Sequence, residues 1–176
     1  LYTFHSLVAE RWSDRRVFIA GDSAHQTPPF LGQGMCAGMR DAANLAWKLA
    51  AVAEGRAAPT LLESYASERL PHARAFIELA VELGGLIQTT DPARAAERDR
   101  AFAARAPREF QFPSPALGPG AFHGPAPAGT LFPQPRLGSG ARLDDVVGNR
   151  FAVVGVGAVL DAATARAKDA WRLLDV

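Results

Sequence analysis

The stretch that most constrains this chain is Arg16-Val17-Phe18-Ile19-Ala20, a short β-rich apolar run that stops abruptly at Gly21-Asp22. Its composition predicts a buried strand ending at the glycine. Behind it come Pro28-Pro29 and Gly32-Gln33-Gly34, then a run from Met39 to Ala53 with Ala43, Ala46, Trp47 and Ala50 at helical spacing, closing near Gly55. Strand, stiffened turn and helix in that order point to an α/β arrangement. In open α/β sheets ligands bind beyond the carboxyl ends of the strands. Asp22 would stand there as an acceptor for a ligand hydroxyl, and Gly21 would permit close backbone approach. The glycines before the helix would leave free N–H groups at its positive end, suited to a planar or anionic ligand edge.

The rest of the chain is organised around this unit. Leu1 to Trp12 reads as a strand. Pro59 opens a second periodic stretch through Leu62, Tyr65, Arg69, Ala73, Phe76, Ala80 and Ile87, interrupted by Pro71, so two helices or one kinked helix are expected. Asp91-Pro92 has the form of an N-cap followed by proline at the first helical position, opening a polar helix to about Ala106. From Pro107 to Gly140 the density of Pro and Gly predicts an extended linker or covering loop. Leu143-Asp144-Asp145-Val146-Val147-Gly148 reads as a strand, followed by the apolar run Phe151 to Val154 and a short helix through Trp171. With no initiator Met and abrupt apolar segments at both ends, the 176 residues are expected to be a fragment of a longer protein.

Composition excludes several function classes. Nineteen basic and eighteen acidic residues give a formal charge of +1, which argues against an electrostatic footprint on nucleic acid or an anionic membrane. Charges break the apolar stretches well short of the roughly 20 residues a membrane-spanning helix needs. A single cysteine, Cys36, forms no internal disulfide, and no secretory leader is visible, so a reducing cytoplasm is expected. No Cys/His spacing suggests a metal.

Many spaced positions together carry a resemblance. Gly21-Asp22-Ser23-Ala24-His25, Pro28-Pro29, Gly32-Gln33-Gly34 and Arg40-Asp41-Ala42-Ala43-Asn44-Leu45-Ala46-Trp47-Lys48-Leu49 resemble the second FAD motif of the class A FAD-dependent aromatic hydroxylases. Leu61-Leu62-Glu63-Ser64-Tyr65 with Glu68-Arg69 and Pro71 looks like the helix that follows, so the match runs from about Arg15 to Ala80. Gln33-Gly34-Met35-Cys36-Ala37-Gly38 is similar to the 3-(3-hydroxyphenyl)propanoate hydroxylase group.

The resemblance implies an α/β parent of the p-hydroxybenzoate hydroxylase-like FAD/NAD(P)-binding fold, of which this chain is a mostly helical part with a few strands. It implies that residues 1–106 are the C-terminal part of an FAD-binding domain, 107–140 a linker and 141–176 the truncated start of a thioredoxin-like domain, entered through Gly129 to Pro135. It implies FAD as cofactor, NAD(P)H as reductant, and O₂ and a phenolic acid as substrates. Asp22 would meet the ribitol hydroxyls, Pro29 would lie beside the isoalloxazine ring, and Gly32, Gln33, Gly34 and Met35 would offer backbone contacts to its pyrimidine edge. The first FAD motif, the strand-borne glycine fingerprint for the pyrophosphate, is absent, so the chain alone is expected to bind FAD weakly or not at all.

Other readings stand beside this one. Ser23 and His25 next to Asp22 are too close in sequence to build a nucleophile–base–orienter triad. Gly32-Gln33-Gly34-Met35-Cys36-Ala37 fits the dinucleotide pattern only formally, because it follows a proline-rich loop where a strand end is required. Gly155-Val156-Gly157 reads as a turn. His25 reads as structural, Asp41 and Asn44 as capping or packing groups, Cys36 as a packed thiol, and Trp47 and Tyr65 as core residues. The alternatives for function are a flavin monooxygenase of polyketide or antibiotic modification, and a non-catalytic module that self-associates as a homo-oligomer.

Overall fold

The computed structural model describes residues 3–105, 114–148, 150–155 and 157–173. It divides into two compact units, the first spanning 1–53 and 57–131, the second 54–56 and 132–176. The described residues are mostly helical, with four two-residue strands among them.

The first unit begins with β1 (Leu7–Val8), β2 (Ser13–Asp14) and β3 (Val17–Phe18), followed by β4 (His25–Gln26). β1 pairs antiparallel with β4, and β2 with β3. The expected long strand over Leu1 to Trp12 is thus confined to β1, with Leu1 and Tyr2 outside the described residues. The run Arg16 to Ala20 is not a buried strand either. It turns back on its predecessor through the two-residue loop Arg15-Arg16, with Arg15 at φ 53°, and Val17 remains 66% exposed. Strand residues alternate faces, so one side chain of this hairpin points to solvent while Phe18 turns inward against Tyr65.

Beyond β4 a 3-10 turn over Pro29–Leu31 leads into α1 (Gly34–Ala53), five residues earlier than the apolar spacing begins. A second 3-10 turn at Pro59–Leu62 opens α2 (Glu63–Ile87), which runs unbroken through Pro71. Of the two outcomes expected for that stretch, one helix is realised. Asp91 caps α3 (Pro92–Ala103) by accepting the Arg94 N–H at 3.0 Å, as the Asp-Pro pair predicts. Ala106, the expected end of α3, lies outside the described residues, as do 107–113 of the expected linker.

The core sits where α1 and α2 close on the strands. Trp12, Ala24, Leu45, Tyr65 and Ala73 form one cluster, and Leu31, Phe76 and Ala80 another. The buried stripe of α1 is Ala37, Asp41, Leu45, Lys48 and Ala51, whereas Ala43, Ala46 and Ala50, at helical spacing in the sequence, face solvent and Trp47 is half-buried. Apolarity alone selects the wrong face because two of the buried residues are charged. Each has a partner of opposite sign on α2, which removes the cost of burying it alone.

In the second unit, Leu143–Val147 is not a strand but a helical turn, α4. The β-branched pair Val146-Val147 favours extension only weakly. Asp145 decides the matter by accepting the Arg142 backbone N–H at 3.2 Å and the Arg142 guanidinium at 2.9 Å. Residues 151–155 carry no assigned helix or strand, and α5 (Gly157–Asp161) and α6 (Ala165–Leu173) follow. The helix expected through Trp171 is α6. The expected turn at Gly155 to Gly157 includes Val156, which lies outside the described residues.

Candidate functional site

Between β3 and β4 the chain makes a 3-10 turn over Gly21–Ser23, closed by Ala24 N–H to the Gly21 carbonyl at 2.8 Å. Gly21 has φ +57°, a left-handed conformation that glycine adopts without the steric cost of a Cβ. A Cβ on Gly38 of α1 would come within 3.3 Å of the Gly21 Cα, so the turn lies directly on the helix backbone. Asp22 at its apex is exposed, and among the described residues its carboxylate has no hydrogen-bond partner. It lines a cavity of about 260 Å³ with Leu7, Val8, Ser23, His25 and Gln26.

The second half of the candidate site is the loop into α1. Pro29 is exposed, and Gly32 takes φ +61° with open space where a Cβ would sit. Gln33 accepts the first helical bond, from the Ala37 N–H at 2.8 Å, so the amides of Gly34, Met35 and Cys36 precede the intrahelical ladder. Met35 is 77% exposed. An unpartnered carboxylate, exposed Pro29 and Met35, and a helix end presenting N–H groups fit a planar, hydroxyl-bearing ligand with a polar edge such as FAD. A larger cavity of about 640 Å³ lies elsewhere, between the β2–β3 hairpin and the end of α1, and contains none of the sequence candidates.

Beneath the exposed loops lies a layer of charge, of which sequence reasoning read only Asp41 and Asn44 as caps or packing groups. Asp41 is fully buried. Its Oδ2 accepts the Gly21 N–H at 3.0 Å and meets His25 Nε2 at 2.6 Å, and its Oδ1 accepts Arg69 Nε at 2.9 Å. Burial by itself would raise the Asp41 pKa, but the hydrogen bonds from His25, Gly21 and Arg69 outweigh it and hold the carboxyl below its usual range. His25 is buried against Trp12, a structural setting.

One turn further along, Glu68 accepts Lys48 Nζ at 2.6 Å, Asn44 Nδ2 at 2.7 Å and the Ala121 N–H at 2.5 Å. Burial pulls the Lys48 pKa down against the opposing pull of Glu68. The one signal that could have found these pairs is the helical register of Asp41 and Lys48 with Ala37, Leu45 and Ala51.

His72 on α2 is buried beside Phe76, and its pKa is pushed down to about 4, by burial first and then by Arg69 and Arg40. The folded protein therefore takes up this proton later than the unfolded chain as pH falls. The stabilisation from a neutral His72 is complete above about pH 6.5 and is lost on descent toward about 4. Between pH 7 and 5, above the carboxylate range, the loss should be about 2 kcal/mol. Urea titrations at the two pH values check this: a His72→Gln protein should lack that component of the slope, and an unchanged slope would refute the assignment.

Comparison with known proteins bears on the family and the cofactor. Residues 1–80 match the family described as FAD binding domain, and residues 129–176 match the HcaD C-terminal domain. A Rhodococcus jostii protein named "Probable NADH-specific resorcinol 4-hydroxylase" is 42% identical over 161 residues, 89% of this chain and 30% of the relative. A Burkholderia vietnamiensis 3-(3-hydroxy-phenyl)propionate/3-hydroxycinnamic acid hydroxylase is 50% identical over 103 residues, 58% of this chain and 19% of the relative. Among solved structures, OxyS anhydrotetracycline hydroxylase from Streptomyces rimosus is 40% identical with a TM-score of 0.51, over 56% of this chain and 20% of that one. The chain thus spans less than a third of the length of these proteins. No helix among the described residues is long and apolar enough to cross a membrane. Residues 1–80 thus belong to the FAD binding domain family, and the relatives to which the chain is similar bear aromatic hydroxylase names.

Proposed function

We propose that this chain supplies the ribitol and ring side of the FAD site in a monooxygenase that uses NAD(P)H and O₂ to hydroxylate a phenolic acid of the 3-(3-hydroxyphenyl)propanoate type. The observation that carries the reading is Asp22, an exposed carboxylate without a hydrogen-bond partner among the described residues, on a turn held at both ends by the buried Asp41 through the Gly21 N–H and the His25 ring. Asp22 would accept hydrogen bonds from the ribitol hydroxyls, with Gly21 allowing the ligand close to the backbone. The amides around Gly32, Gln33, Gly34 and Met35 would meet the pyrimidine edge, where the positive end of α1 stabilises negative charge. Pro29 would pack beside the ring. When bound, FAD supplies the transfer of electrons from NAD(P)H and the activation of O₂.

Residues 1–106 would then be the C-terminal part of an FAD-binding domain, 107–140 a linker, and 141–176 the beginning of a thioredoxin-like domain in a cytoplasmic protein. The phenolic-acid class is favoured by the 50% identity to the Burkholderia protein, higher than the identities to the other two. The test is made on the full-length protein that contains this chain. It should purify with about one FAD per protein, released on denaturation, and Asp22→Asn should weaken FAD binding by about tenfold or more. NAD(P)H oxidation should be stimulated more by 3-(3-hydroxyphenyl)propanoate than by resorcinol or a polycyclic phenol. A colourless protein that takes up no FAD would sink the proposal, and preference for a polycyclic phenol would sink its substrate class.

A further inference from the structure

We propose that Asp41 is the positioning residue of this flavin site, fixing the turn on which Asp22 is presented. The inference rests on the proposed function and adds a residue that does not itself face the ligand.

One oxygen of Asp41 holds both sides of the Asp22 turn. Its Oδ2 takes the backbone N–H of Gly21, immediately before Asp22, at 3.0 Å, and the ring Nε2 of His25, three residues after it, at 2.6 Å. Between these anchors Ala24 closes the turn on the Gly21 carbonyl. The other oxygen is occupied by Arg69 from α2 at 2.9 Å, so the carboxylate cannot rotate away from the turn without abandoning a buried guanidinium. The Gly21 Cα meanwhile rests on Gly38, one helical turn before Asp41. The turn is held from α1 by a charge-assisted hydrogen bond and by backbone contact, whereas Asp22 itself is bonded to nothing in the described chain. Such an arrangement settles the direction of a ligand-binding carboxylate before the ligand arrives.

A double-mutant cycle on FAD affinity, measured by flavin fluorescence titration in the full-length protein, tests the assignment. Asp41→Asn should weaken FAD binding about tenfold or more when Asp22 is present. In an Asp22→Asn background the same change should cost less than about twofold, because the group being positioned is gone. A merely structural Asp41 would cost the same factor in both backgrounds, and that result, or no loss at all, overturns the role. Gly38→Ala, which leaves every charge in place and presses a methyl toward the Gly21 Cα, should show the same coupling. If Asp41→Asn does not fold, the Gly38→Ala cycle decides by the same criteria. A wild-type protein that binds no FAD would remove the proposed function and this role together. A wild-type holoprotein with additive losses would remove this role alone.

Discussion

Replacing Glu68 by alanine should cost the fold about 3–5 kcal/mol, because it leaves the Lys48 ammonium buried with no counter-charge. Three groups from two other segments converge on this carboxylate: the Lys48 ammonium and Asn44 amide of α1, and the Ala121 backbone. Urea unfolding of the wild type and the variant measures the difference. Glu68→Gln separates charge from hydrogen bonding. It keeps an acceptor near Lys48 but removes the charge, so the already lowered pKa of Lys48 should fall further. The folded variant then sheds its proton before the unfolded chain does, and its deficit relative to wild type should shrink as pH rises from 7 to 10. A constant deficit over that range would show that the ammonium is not the source of the cost.

Tyr65→Ala should be comparably severe, at about 3–5 kcal/mol. The ring is completely buried, with Trp12 at 5.6 Å and Phe18 at 6.4 Å between ring centroids, so its removal leaves a hole that three different segments cannot all close. Tyr65→Phe isolates the hydroxyl, which donates to the Ile19 carbonyl at 3.0 Å, and should cost only about 1 kcal/mol. Thermal unfolding of the pair reads both. Equal losses in the two variants would mean that the bond to Ile19, rather than the ring, anchors the hairpin to α2.

Both residues illustrate what a linear sequence conceals. Local chemistry was legible: the Asp91 cap, the glycine-rich turn before α1 and the periodic stretch through Ile87 all follow from neighbours a few residues away, though whether Pro71 would split that stretch does not. Pairings across the chain were not. Asp41 and Arg69 are 28 residues apart, and nothing near Asp41 reveals that Arg69 will neutralise it. Without that partner Asp41 reads as a cap or packing group, and the helical spacing of the α1 alanines does not reveal that they face solvent. The strand over Arg16 to Ala20 failed for a related reason, since composition reports a preference for extension and says nothing about which strand will be its neighbour. At Leu143 to Val147 the contest was local but was decided by a side-chain cap instead of by propensity. The exposed candidates Asp22, Pro29, Gly32 and Met35 were legible as a motif, while the buried support beneath them needed three dimensions.

Pro71 has a consequence for how the chain can be opened. A proline in a helix interior has no N–H to offer the carbonyl four residues earlier, here that of Ser67, and next to it the Glu68 carbonyl accepts the Gly118 N–H at 2.9 Å. The segment near residues 117–121 is therefore latched to α2 at the point where the helical ladder is already interrupted, by one backbone bond and one carboxylate. A protease acting on the native protein would meet this crossing tied to α2 by two bonds to Glu68 and braced by the Leu117 N–H on the Gly129 carbonyl at 2.8 Å, so the rate of nicking around Gly118 to Ala121 gauges how often those bonds let go together.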